Sequence, residues 1–323
     1  MSWTENADHA LRMLLENMVA EGLLAKQVGV DATPAQIVGA SREMLLDVIN
    51  CSLPLARIMD TSDLVLHAEG PSVKDASPKL NAFNWLTSTA ERTIRRMSGN
   101  LFDLSSRDAK HLSRALDLRL TGIARGSIYA GFSIETPAPD LIAPEDEPII
   151  LSVREALRQL PEVSQFIQNE HISREINEFI EDPALRDTAM DALYRLSPTG
   201  SVGIHTIDIA SPGTRSAKLS QRERIVLREA LLSPKGGDRK PGAFAGEVRE
   251  IDLDAHRFHL RGVAGIGNLR CAIGNIEKNE AKNLIGEYVR VEGDYESNRE
   301  GKPRLMMVHS FEMLQRDSQP DLV

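Results

Sequence analysis

Cysteine is almost absent from this chain. The two present, Cys51 and Cys271, fall in different predicted segments, which excludes a disulfide framework and any cysteine pair at metal-ligand spacing. A long hydrophobic run is also missing, as is a charged-then-apolar leader, so the expectation is a soluble, cytoplasmic protein. Basic surplus is lacking too. Net charge is −9, and it is uneven: from Lys218 onward 18 basic side chains face 17 acidic ones, leaving the preceding body at −10. An acidic body is a poor non-specific binder of nucleic acid but suits a protein partner with a basic surface.

Signatures of chemistry are missing as well. The chain holds no His-Glu-x-x-His, Walker loop, Gly-x-Ser-x-Gly or paired metal triad. His67-Ala-Glu69 has the His-x-Glu of the zinc deaminases without their Pro-Cys-x-x-Cys, which leaves His67 as a strand histidine of no special role. His205 and Asp208 stand three apart on a predicted strand and so face opposite sides. His171 has no partner at ligand spacing. No catalytic residue, metal or cofactor is therefore assigned. An enzyme whose carboxylates converge only in space stays open.

With 323 residues, the chain has room for two or three domains. Residues 8–26 carry Leu11, Leu14, Leu15, Met18 and Leu23 along one helical side. A second helix opens at Thr33-Pro34-Ala35-Gln36, a capping box with proline at its first position, and the two are expected to pair. Residues 63–70 read as a strand. Residues 78–97 read as a helix ending at Gly99, with Arg92, Arg95 and Arg96 complementing the negative end of its dipole and an anion site as the alternative. Residues 116–123 and 128–134 form a hairpin pattern around Ala124-Arg125-Gly126-Ser127. Four prolines among acidic residues mark 136–148 as a linker. A helical region follows, with a capping box at Ser152 and Glu155, a helix opening at Asp182-Pro183, and one strand over 202–209. The run from Leu219 to Arg228 resembles the opening helix of a LuxR-type helix-turn-helix domain. No second helix follows it, so it reads as a capped helix beside the C-terminal domain.

That domain is the most specific pattern in the chain. Runs over 244–251, 257–263 and 268–273 alternate in polarity. A helical stretch over 275–285 ends at Gly286, and strands follow over 288–293 and 303–311. Three strands, a helix and two strands is the element order of the OB-fold, which this last quarter of the chain resembles. The resemblance implies a five-stranded barrel and a binding role, often toward oligonucleotides. Alternation sends Phe258, Leu260, Leu269 and Cys271 inward and Arg257, His259, Arg261 and Arg270 outward on strands two and three. A phosphate backbone could run along those arginines, with Tyr288 as the outward aromatic; a solvated face paired with nearby glutamates is the alternative. On either account, replacing these arginines should leave the barrel core intact.

The sequence thus predicts an α+β protein. A mostly helical domain with strand segments spans 1–135, a Pro/acidic linker 136–148, a helical middle region 149–232, an OB-like barrel 243–316 and a tail 317–323. The leading expectation is a non-catalytic binding protein whose acidic body holds a protein partner and whose barrel contacts nucleic acid or stabilises an assembly. One alternative is a protein-only interaction subunit, such as an antitoxin-like inhibitor or defence-complex component. The other is an enzyme with a site between body and barrel.

Overall fold

The computed structural model describes residues 2–74, 77–105, 112, 116–124, 127–135, 147–232, 239–252, 256–273 and 283–314. Most of the 136–148 linker, most of the 275–285 helical stretch and the whole 317–323 tail fall outside them.

Helix α1 (Trp3–Val28) starts at a capping box made by Ser2 and Glu5. Asp60 receives the backbone N–H groups of Trp3 at 3.0 Å and Thr4 at 2.8 Å, so a carboxylate meets the positive end of the helix dipole. Asp60 belongs to α4 (Leu53–Thr61), which a π turn joins to α3 (Gly39–Asp47); α2 (Pro34–Ile37) precedes them. The Thr33–Gln36 capping box is present. Together α1 to α4 form an outer layer.

The body is built on one sheet. Strands β1 (Leu64–Glu69), β2 (Asp117–Ala124), β3 (Ile128–Glu135), β4 (Thr206–Ala210) and β5 (Ala217–Ser220) lie in the order β2-β3-β1-β4-β5, every neighbour antiparallel. The two regions separated in the sequence by the 136–148 linker therefore complete each other's sheet. Strand β1 alternates: Leu64, Leu66 and Ala68 face a core shared with α5 (Leu80–Ser105), α6 (Glu147–Arg158) and α9 (Pro183–Leu196). On the opposite face Val65 packs under Ile58 of α4, while His67 and Glu69 are only half-buried. Short helices α7 (Leu160–Ser164) and α8 (Ile176–Phe179) bridge α6 to α9. Helix α10 (Gln221–Leu232) starts at the Ser220–Glu223 capping contact.

Expected helix limits move: α1, read over 8–26, starts at Trp3 and ends at Val28. Helix α6 begins at Glu147, so Ser152 lies inside it and donates to Pro148 O. Helix α5 runs through Gly99 to Ser105. A helical glycine costs about 1 kcal/mol, less than the burial of Leu101 and of Phe102, which is fully covered. Arg92, Arg95 and Arg96 consequently sit in the helix interior, too far from its end to serve the dipole. The extra turns also place Asp103, 4% exposed.

Strands β6 (Arg239–Asp252), β7 (Arg257–Val263), β8 (Gly267–Ile273), β9 (Tyr288–Ser297) and β10 (Pro303–Met313) close into a barrel of order β10-β8-β7-β6-β9. Strand β6 starts earlier than its alternation suggests. Its first half pairs with β9 alone, so Pro241 removes no ladder hydrogen bond on the open side. Val248, Phe258, Leu260, Leu269, Cys271, Val289, Val291, Met306 and Val308 fill the interior, as the alternation requires. Burial pushes the Cys271 thiol's pKa up. Gly293 is forced by packing: a Cβ there would lie 1.9 Å from Met307 O. Among the described residues no helix is long and apolar enough to cross a membrane.

Candidate anion-binding cleft at the body–barrel seam

The four side chains expected on an open barrel face do point out of the barrel, but into the body. Arg257 makes a two-pronged pair with Asp187 of α9, at 2.9 and 2.7 Å, and donates to Leu231 O of α10 at 2.8 Å. Arg270 reaches the same carboxylate at 2.7 Å. His259 Nδ1 lies 3.1 Å from Asp103, which also pairs with Arg261. Arg257 and Arg270 are 3% and 1% exposed. Tyr288 lies elsewhere, opposite Glu247, the residue that Arg261 faces from the other side.

This corrects the reading of strands two and three as a solvated or freely accessible face. The acidic body that seemed suited to an external partner supplies the carboxylates that dock its own barrel. Replacing Arg257 or Arg270 would leave Asp187 short of a partner, so their stability-neutral replacement is no longer expected. At Asp187, burial opposes ionisation, yet the Arg257 and Arg270 charges overcome it and hold the carboxyl well below the usual carboxylate range. The seam is reciprocal. Body residues Arg186 and Arg195 reach the barrel's Glu296 and Asp252, each at 2.6 Å, and the barrel's Arg304 reaches Asp182 at 2.7 Å.

Beside this closed seam is an open cleft of about 700 Å³. Helix α5 contributes Thr89, Arg92, Thr93 and Arg96; α9 contributes Tyr194 and Arg195; α10 contributes Arg224, Arg228, Leu231 and Leu232; the barrel contributes His256. Arg92 and Arg96 are four residues apart and share a helix face, whereas Arg95 turns to Glu91 at 2.9 Å on the surface. Arg96 and Arg195 share Asp252. Arg224 donates to the carbonyls of Tyr194 and Ser197 at 2.6 and 3.0 Å and lies 4.1 Å over the Tyr194 ring. Arg92 donates to Ser88 O. Among the described residues, Arg92, Arg224 and Arg228 have no carboxylate partner. The cleft therefore carries a local positive surplus. Screening over about 8–10 Å at ordinary salt separates that surplus from the chain's negative total.

A second cleft, about 740 Å³, flanks α10 on its other side and reaches barrel residues Glu296 and Leu305. Its lining includes Ile172, Ile176, Met190 and Val226. Asp187 and Glu296, its deepest carboxylates, are engaged by arginines, so they do not form an acid–base pair for catalysis.

Arg224 and Arg228 stand four apart on α10, as Arg92 and Arg96 do on α5, but nothing in the spacing joins those two pairs to each other or to Arg195; the packing of α5, α9 and α10 brings them together. The pair Arg92 and Arg96 was the available signal. No family model matches the chain, and no curated protein sequence matches it.

Proposed function

We propose that this chain is a binding protein that holds a nucleic-acid backbone in the arginine-lined cleft, with a protein partner on the outer helical layer. The observation that carries the reading is the convergence of Arg92, Arg224 and Arg228, without carboxylate partners among the described residues, on one open cleft. Guanidinium groups in a concave site suit bidentate contact with phosphate. The barrel order β10-β8-β7-β6-β9, with β8 and β10 parallel, supports an OB-like barrel. In this reading the barrel forms the cleft's wall through His256, and its strand-two and strand-three face serves docking.

Fluorescence anisotropy of a labelled single-stranded oligonucleotide with the full chain is the test. Three phosphate contacts predict a log–log salt slope of about −2, since each contributes about 0.7 for single strands, or nearly twentyfold weaker binding from 50 to 200 mM salt. Arg228→Ala should reduce the slope by about 0.7 and weaken binding to every sequence. Arg228 is exposed, so the melting temperature should hold. Absence of wild-type binding at about 50 mM salt, where the electrostatic contribution is still large, would refute the reading.

The partner half rests on the outer layer. Leu15, Val19 and Leu23 stand four apart on one side of α1 and are each more than 50% exposed, and a row of exposed apolar side chains marks an interaction surface. A protein-only role would keep this surface and lose the cleft's salt-dependent binding. Leu15→Glu with Leu23→Glu should abolish association with the partner and spare oligonucleotide binding.

A further inference from the structure

The open face of the body sheet holds a hydrogen-bonded chain that the cleft does not use. His67 is on β1, Asp208 faces it from β4, and Ser127 ends the turn that leads into β3. Ser127 Oγ lies 2.5 Å from His67 Nε2, and His67 Nδ1 lies 3.1 Å from Asp208 Oδ2. Hydroxyl, imidazole and carboxylate are thus in the order by which a serine nucleophile is activated, a pattern identified by geometry and not by chain order. With Nδ1–H donated to Asp208, Nε2 is left as the acceptor for the Ser127 proton. Tyr129 stacks on the imidazole, its centroid 3.9 Å away and its plane within 3°, which fixes the ring. Ser127 holds a φ of 111°, a conformation L-residues rarely adopt. His67 and Asp208 keep 14% and 24% of their side chains exposed, so substrate and water can reach the chain.

Glu69 completes a His67, Glu69 and Asp208 group whose ligand atoms lie within 4.8 Å of one another. Asp208 joins from another strand, so sequence spacing shows only the His67-x-Glu69 half of this group. Lys218 of β5 places its ammonium 3.0 Å from Glu69 and 3.7 Å from Asp208. A cation thus already neutralises these carboxylates. A metal would have to displace it, whereas the serine chain needs no such rearrangement.

We propose that Ser127, His67 and Asp208 form a second, hydrolytic site whose substrates are carboxylic esters. Ser127 Oγ attacks the ester carbonyl carbon as its proton passes to His67 Nε2. The carbonyl re-forms, the ester C–O bond breaks, and the alcohol leaves with the proton held by His67. Water then attacks the acyl-serine and gives a proton to His67. The acid departs and the proton returns to Ser127, so no oxidant, reductant or further reactant is consumed. Asp208 is a positioning residue that holds the ring's tautomer. This site is independent of the arginine cleft.

The test is reaction of the full chain with a fluorophosphonate probe, with the adduct located by peptide mass spectrometry. The expected result is modification at Ser127, with its rate falling about 100-fold or more in His67→Gln, the lower range for loss of a general base. Asp208→Asn should lower the maximal labelling rate and not the probe's apparent affinity, a split that a merely structural role would not produce. Turnover of p-nitrophenyl acetate, lost in Ser127→Ala at unchanged melting temperature, is the second expected readout. Either no adduct at Ser127 in the wild type, or labelling that stays within tenfold in both His67→Gln and Asp208→Asn, would overturn the proposal.

Discussion

Asp187→Asn is the most direct probe of how the barrel is held. One carboxylate on α9 serves Arg257 and Arg270, and all three side chains are at most 3% exposed. The substitution keeps size and shape but removes the carboxylate charge that two buried guanidinium groups share. Removing one partner of a buried pair costs about 3–5 kcal/mol, because the uncompensated charge remains. Against a whole-domain stability of about 5–15 kcal/mol, that is a large fraction. The Arg249–Glu247 pair, whose arginine is 50% exposed, is the control: Arg249→Ala should cost about 1 kcal/mol or less. Urea unfolding of both variants at neutral pH provides the comparison. The pH dependence has a definite sign. The folded-state pKa of Asp187 lies below its unfolded value, so its contribution is complete above the unfolded value of about 3.9 and is lost as pH falls through the folded one. The wild type's advantage over Asp187→Asn should be constant above about pH 5 and shrink under acid. An Asp187→Asn protein within about 1 kcal/mol of the wild type at neutral pH, well below the cost of a broken buried pair, would refute the account of the seam.

Gly293→Ala should destabilise the barrel by about 1–3 kcal/mol, because its Cβ would meet the Met307 carbonyl and not a side chain able to turn away; thermal melting reads this. The isolated fragment 239–314 should fold, since the barrel has a core of its own, and a collapsed amide spectrum would refute that. The same fragment uncovers Arg257 and Arg270, so it should bind single-stranded oligonucleotide through side chains that the full chain withholds. Replacing both arginines in the fragment should remove that binding and leave its dispersed spectrum unchanged.

Local pattern sufficed where one side chain's direction depends only on its neighbours in the chain. The alternation around Phe258 and Leu260 put them inside the barrel and Arg257 and His259 outside, and both placements hold. Capping residues marked the starts at Thr33 and Ser220, because a cap is a contact across three residues. Gly99 misled, since helix propensity is weak beside the burial of Phe102. What lies beyond the outward side of a strand is a different kind of information. Whether Arg257 meets water, phosphate or Asp187 depends on residues 70 positions away, and no local period encodes that distance. The same holds for Arg92 with Arg228, and for His67 with Asp208, separated by 141 residues. Periodicity determined the strands of the barrel and the longer elements of the body, whereas β5, α7 and α8 are too short to carry a period of their own. Only the folding of α5, α9 and α10 onto each other decided which arginines were consumed in docking and which faced an open cleft, because charge pairing is settled by distances between elements.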